Sequence, residues 1–350
     1  MVITARLAST SSAPGSNTRG REESHQVIYQ KALKLLQDPI LPVRAHGLLL
    51  LRQLVTPTSS DVSESSKIDT ALVPAILDIF LQSIQDDDSY IFSNAVQGLA
   101  AMVDAFGKDV LKSLVKEYAD GLERLGATSL TQRELDVRAR VGEALASAIR
   151  RCGAALGMYG KYTSIDPKKY VDSDSQEAVD ILVPPLFYIL RSRNVPIILR
   201  MSSISLLTEC EETSPLAMLP FVTDLVNTMT DLLQIETVPS KSRNSALEKD
   251  LKTTEIPDVD AEPTSKVPKV PAFRRAAAQF LLLVVRQTIK RVYESTFETS
   301  PVPIGLLKRA KITLSYVAST DEDSIFRKIA GEASEELGQL QEALLGMSAR

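Results

Sequence analysis

At 350 residues the chain exceeds the roughly 250–300 that a single hydrophobic core supports, so it divides into domains or grows as a repeat array. Hydrophobic residues reach 44% while aromatics stay at 5% with no Trp, a balance that favours aliphatic helix-on-helix packing. The 40 basic and 44 acidic residues give a net charge of −4, without the basic excess expected of a nucleic-acid binder.

Residues 1–20 lack the apolar run of a secretory signal. They are rich in Ser, Thr and Arg and free of acids, and they read as a disordered tail over 1–23. Amphipathic helices are then predicted over 26–36, 72–84, 110–125, 178–190, 216–235 and 304–318, each followed by a turn signal. After each turn a second helix opens on one recurring frame. The frame is a bulky apolar residue, then Arg, a small residue three later and Leu four beyond that. The first copy is Val43, Arg44, Gly47 and Leu51. The others open at Ile91-Phe92, Val137-Arg138, Leu199-Arg200, Phe273-Arg274 and Phe326-Arg327. Arg fills its position in five of six copies, a regularity that unrelated helices would not reproduce.

The spacing has a physical reason. Positions three and four apart share one helix face, so the frame writes an apolar stripe whose small residue admits a neighbouring helix. The structural arginines Arg44, Arg138, Arg200, Arg274 and Arg327 sit near helix starts, within reach of carboxylates in the preceding turn or in the next repeat. The arginine positions are 48, 46, 62, 74 and 53 residues apart, against a period of about 40–47 for HEAT and armadillo arrays. Two inserts explain the excess: a loop over 153–173 and a Pro-rich, mixed-charge stretch over 237–271 that reads as disordered. The expected fold is all-α, an α-solenoid of about six HEAT/armadillo-like helix pairs near 24–55, 70–106, 108–152, 175–212, 214–295 and 302–346.

No enzyme chemistry emerges from this pass, and no cofactor is expected. His25 and His46 stand without a nucleophile, and Ser202, Ser203 and Ser205 without a nucleophile-elbow glycine pattern. Asp86–Asp88 and Asp321–Asp323 precede frame helices, so they read as N-caps and not as metal ligands. Gly153–Gly157 does not continue to a phosphate loop. Cys152 and Cys210 make no disulfide framework and read as small buried hydrophobes. The apolar run at 276–285 is too short for the ~20 residues of a membrane span. Arg133, Arg140, Arg150 and Arg151 form a basic cluster around Arg138. It is either a ridge for an acidic partner or a salt-laced face paired with Glu134, Asp136 and Glu143.

Two stretches carry a family resemblance: 38–55 (DPILPVRAHGLLLLRQLV) and 76–106 (ILDIFLQSIQDDDSYIFSNAVQGLAAMVDAF). They resemble the C-terminal region of the fungal RNA polymerase II assembly factors, required for nuclear transport of the polymerase. The animal relatives are called transport and Golgi organisation protein six. A shorter block, 273–287 (FRRAAAQFLLLVVRQ), is similar to the last conserved block of that family. The family blocks fall at about 26–150 and 273–294. The resemblance implies a cytoplasmic scaffold, shuttling to the nucleus, that binds RNA polymerase II subunits, assembly chaperones, and nuclear pore or import proteins. It implies no catalytic residues. An importin-like or vesicle-coat adaptor is the rival reading.

Overall fold

The computed structural model describes residues 25–56, 68, 70–122, 130–152, 173–237, 270–294 and 302–348. Among them the apolar stripes form twelve α-helices, two short 3-10 turns and no strand. In chain order these are α1 (His25–Leu36), α2 (Leu41–Val55), α3 (Val73–Ser83), α4 (Ser89–Phe106), α5 (Lys108–Ala119) and α6 (Gln132–Cys152). They continue with α7 (Ser173–Arg191), α8 (Ile197–Thr213), α9 (Val222–Thr237), α10 (Pro271–Tyr293), α11 (Ile304–Thr320) and α12 (Ser324–Ser348). The disordered tail expected over 1–23 lies outside the described residues, as do nearly all of the 153–173 and 237–271 inserts.

Consecutive helices pair, α1 on α2 through α11 on α12, and the pairs stack in order. The second helices α2, α4, α6, α8, α10 and α12 each pack on the next, forming an unbroken row. The row of first helices is looser: α5 meets α7 and α9 meets α11, with a lighter touch between α7 and α9. The architecture is thus an α-solenoid of six HEAT/armadillo-like pairs, in which each pair contacts only its neighbours.

The frame explains how the pairs close. Its small position is buried in every copy (Gly47, Ala95, Val141, Ser203, Ala277 and Ala330), and so is the leucine position four residues on. In the first pair a Cβ on Gly47 would lie 3.0 Å from the Ala32 carbonyl oxygen and 3.0 Å from Leu36, so α1 lies directly on the glycine. In the second pair the closest approach moves to Gly98, where a Cβ would fall 2.2 Å from the buried Phe80 ring of α3. Gly98→Ala is therefore expected to cost about 1–3 kcal/mol through forced repacking of Phe80. Phe80→Leu in that background should recover part of the loss. Gly331→Ala meets no atom within 4 Å. It should instead stabilise by roughly 0.5–1 kcal/mol through helix propensity. Urea unfolding midpoints of the three variants check both signs.

Two predicted helices are shorter than expected. The helix expected over 110–125 ends at Ala119, because Gly121 takes a left-handed φ of 73°. The helix expected over 216–235 begins at Val222, after a 3-10 turn over Leu219–Phe221 that carries Pro220 and leaves Leu216 62% exposed. The acidic runs cap helices. The Asp88 carboxylate accepts the Tyr90 and Ile91 amides, and Asp323 accepts those of Ile325 and Phe326.

Candidate protein-binding face and its arginine ladder

The frame arginines line the edge of the solenoid where each first helix turns into its second. Arg138 donates to the carbonyls of Glu117, Tyr118 and Asp120 at the end of α5. Arg200 donates to the Leu190 carbonyl at 3.1 Å, and Arg327 to the carbonyls of Asp321 and Glu322. Arg138 and Arg200 thus serve carbonyls in the last turns of α5 and α7, which have no intrahelical donor, and Arg327 serves carbonyls of the turn between α11 and α12. Arg44 and Arg274 reach forward into the next pair, to Asp86 at 3.3 Å and to Asp321. The second pair has Phe92 at its arginine position. Its turn is served from both sides, by Arg44 and by Arg140, which binds the carbonyls of Ile84 and Asp86 and lies 3.5 Å from the Asp87 carboxylate.

Aromatic rings complete the ladder. Arg200 stacks 4.5 Å above Phe273, Arg274 lies 5.1 Å above Phe326, and Arg140 lies 5.7 Å above Phe92. Each contact bridges two pairs. Such cation–π contacts contribute about 0.5–2 kcal/mol each, more where they are desolvated.

The structure also distributes the basic cluster on α6. Arg150 pairs with Glu209 of α8 at 2.6 Å, and Arg151 with Asp104 of α4 at 3.4 Å. These are links between helices, not the pairing with Glu134, Asp136 and Glu143 expected from the sequence. Glu134 instead closes a capping box with Thr131, whose amide and hydroxyl both donate to its carboxylate at 2.8 Å. That bonding holds the Glu134 carboxyl below its ordinary range. Asp136 accepts from Gln132. Arg133 is exposed near the start of α6.

One charged pair went unanticipated. Glu211 of α8 is wholly buried, 3.4 Å from the buried Arg291 of α10, with its second carboxylate oxygen unbonded. Burial pushes the Glu211 carboxyl up to about 7, against the lowering pull of Arg291. A signal for it existed. Eleven residues beyond the arginine position, four of the five other pairs carry a buried aliphatic residue, Val55, Val103, Ile149 and Val285, and the last pair carries Gly338. A Glu in that apolar position is a buried charge in waiting. Its neighbour Cys210 is free and buried, with its thiol pushed up to about 12, chiefly by desolvation.

Among the described residues no helix is long and apolar enough to cross a membrane. No group of His, Cys, Asp and Glu within them is arranged to hold a metal ion. A groove of about 310 Å³ is lined by Leu33 and Leu36 of α1, Ile79 of α3 and the Arg44–Asp86 pair.

Comparison with known proteins places this geometry in context. Residues 29–155 match the family described as Required for nuclear transport of RNA pol II C-terminus 1. The resemblance read from the sequence holds over that stretch. The RNA polymerase II assembly factor RTP1 of Saccharomyces cerevisiae is 24% identical over 206 residues, 59% of this chain and 18% of the yeast protein. Its Schizosaccharomyces pombe counterpart is 23% identical over 132 residues, 37% of this chain and 15% of that protein. The chain therefore spans less than a fifth of the curated relatives it matches. Among solved structures, an engineered protein and a designed armadillo repeat protein each align over 89% of the chain. They cover 97% and 99% of those chains at 16% and 13% identity, both with a TM-score of 0.36.

Proposed function

We propose that the chain is a non-catalytic, protein-binding module of RNA polymerase II assembly, working in the cytoplasm and accompanying the polymerase toward the nucleus. The observation that carries this reading is the match of residues 29–155 to the nuclear-transport family, supported by two relatives named as assembly factors. Its partners are polymerase II subunits and the chaperones that deliver them. The array over 24–236 and 272–346 acts as one module, with the second family block at 273–294 inside it and the 237–271 stretch as an insert.

The second helices supply the binding face. Their row is the more tightly packed and the more continuous of the two. Along it polar and charged side chains such as Gln97, Glu143, Arg150, Ser205 and Gln279 are exposed, together with the apolar Tyr90, Ile198, Tyr293, Ile325 and Leu345. Binding spread over many modest contacts suits such a surface. Arg133 and Arg150 are the members of the basic ridge best placed to meet an acidic partner, since Arg150 keeps half of its side chain exposed while paired.

Affinity purification of the tagged chain from native extract, read by mass spectrometry, tests the proposal. Polymerase II subunits recovered together with assembly chaperones are the expected result, reduced when Arg133 and Arg150 are both changed to Glu. Vesicle-coat or Golgi proteins without polymerase would replace this reading with the trafficking-adaptor one.

A further inference from the structure

The seams between neighbouring pairs are unequal. Within the described residues the fourth and fifth pairs meet least: α8 on α10 is the lightest contact of the second-helix row, and α7 barely reaches α9. The seam that follows is the heaviest, with α10 packed extensively on α12 and α9 on α11. Ion pairs of Arg274, Arg275, Arg286 and Arg309 all bridge that later seam.

Three arginines serve the light seam. Arg191, the last residue of α7, donates to the Thr228 hydroxyl of α9 at 3.1 and 2.7 Å. Arg200 of α8 stacks 4.5 Å above Phe273 of α10, while its Nε donates to the Leu190 carbonyl of its own pair. Arg291 of α10 meets Glu211 of α8 at 3.4 Å, and this last contact works against closure. Both side chains are at most 4% exposed, and the second carboxylate oxygen of Glu211 accepts no hydrogen bond. Closing the seam therefore strips water from two charges and leaves an oxygen unsatisfied, a cost that their attraction offsets only in part. Opening it gives that water back.

The link between the two pairs suits a pivot. Residues 214–221 join α8 to α9, and only Ser214 and Met218 of them are buried. Between the second and third pairs, by contrast, the single residue Gly107 joins α4 to α5. A few link residues are enough to absorb the dihedral changes of a hinge.

We infer that the array is two bodies, α1–α8 and α9–α12, which rock against each other about the seam between the fourth and fifth pairs. The exposed faces of α8 and α10 stand on opposite sides of that seam, so the movement changes the spacing along the second-helix row. A partner that spans both bodies selects one spacing.

Pulsed dipolar electron spin resonance on the 350-residue chain tests this. Gln97, Glu143, Ser205 and Gln279 share one frame position on α4, α6, α8 and α10, and all four are exposed. In a Cys152→Ser background, with Cys210 buried, spin labels go on Gln97→Cys with Ser205→Cys, or on Glu143→Cys with Gln279→Cys. Each label pair spans two seams, about 20 Å at the 8–10 Å spacing of packed helices. Only the second label pair crosses the light seam. Its distance distribution is expected to be at least about twice as broad as the first, or two-peaked. Glu211→Leu with Arg291→Met should narrow it to the width of the first, because closure then buries no charge. Equal widths for the two label pairs in the parent chain would overturn the inference. A breadth unchanged by the double substitution would overturn the role given to the charged pair.

Discussion

Arg274→Ala is expected to lower the free energy of unfolding by about 3–5 kcal/mol, the cost of stripping one partner from a buried ion pair. Arg274 and Asp321 expose only 6% and 7% of their side chains, so water cannot replace the lost guanidinium. The same substitution removes the cation–π contact with Phe326. It also unties α10 from the turn ahead of α12, one of the most extensive junctions in the array. Replacing both partners with apolar residues of similar size, Arg274→Met with Asp321→Leu, should recover most of the loss because no buried charge remains. Urea titrations followed by circular dichroism supply the numbers. A cost below about 1 kcal/mol for Arg274→Ala would place the pair in solvent and undo the argument.

Stability should also fall as pH rises from about 4.5 to about 7, and Glu211 is the reason. Its carboxyl is pushed from 4.5 to about 7 by burial, so the folded chain holds this proton where the unfolded chain has released it. Stability from this group is full below about 4.5 and declines as pH rises to about 7, after which it is level. The groups around it are Glu209 and Cys210 on its own helix, with Arg291 and Glu294 of the α10 segment. A shift of that size corresponds to roughly 3 kcal/mol. Subtracting the profile of Glu211→Gln isolates the effect from the exposed carboxylates. The difference should shrink by about 2–3 kcal/mol between pH 5 and pH 8. A flat difference would mean that Glu211 stays ionised beside Arg291 throughout.

The periodic features of this molecule were legible and the long-range ones were not. All twelve helices follow from apolar spacing and turn signals, and the N-caps at Asp88 and Asp323 from acids placed just before frame helices. The two short helices were misjudged because apolar residues continue past Gly121 and begin before Pro220, where backbone conformation overrides the pattern. Arg150 and Arg151 had acids nearby in sequence, yet they pair with Glu209 and Asp104, 59 and 47 residues away. Neighbours on one helix compete with partners on an adjacent one, and only the packing of α4, α6 and α8 decides between them.

By itself the sequence determined the repeat: a six-fold frame of apolar, arginine, small and leucine positions requires paired helices, and paired helices with one apolar face must stack. It also determined the family resemblance that the match over residues 29–155 supports. The tertiary structure alone decided which way each arginine turns, because carbonyl ends and carboxylates offer rival partners at similar distance along the chain. It alone decided that Glu211 meets Arg291 across 80 residues. It also decided that Leu50 and Leu54 stay partly exposed while the equivalent Leu206, Phe280, Val284 and Leu337 of later pairs are buried. The sequence writes the polarity of a frame position, but whether that position is covered depends on what stands beside it.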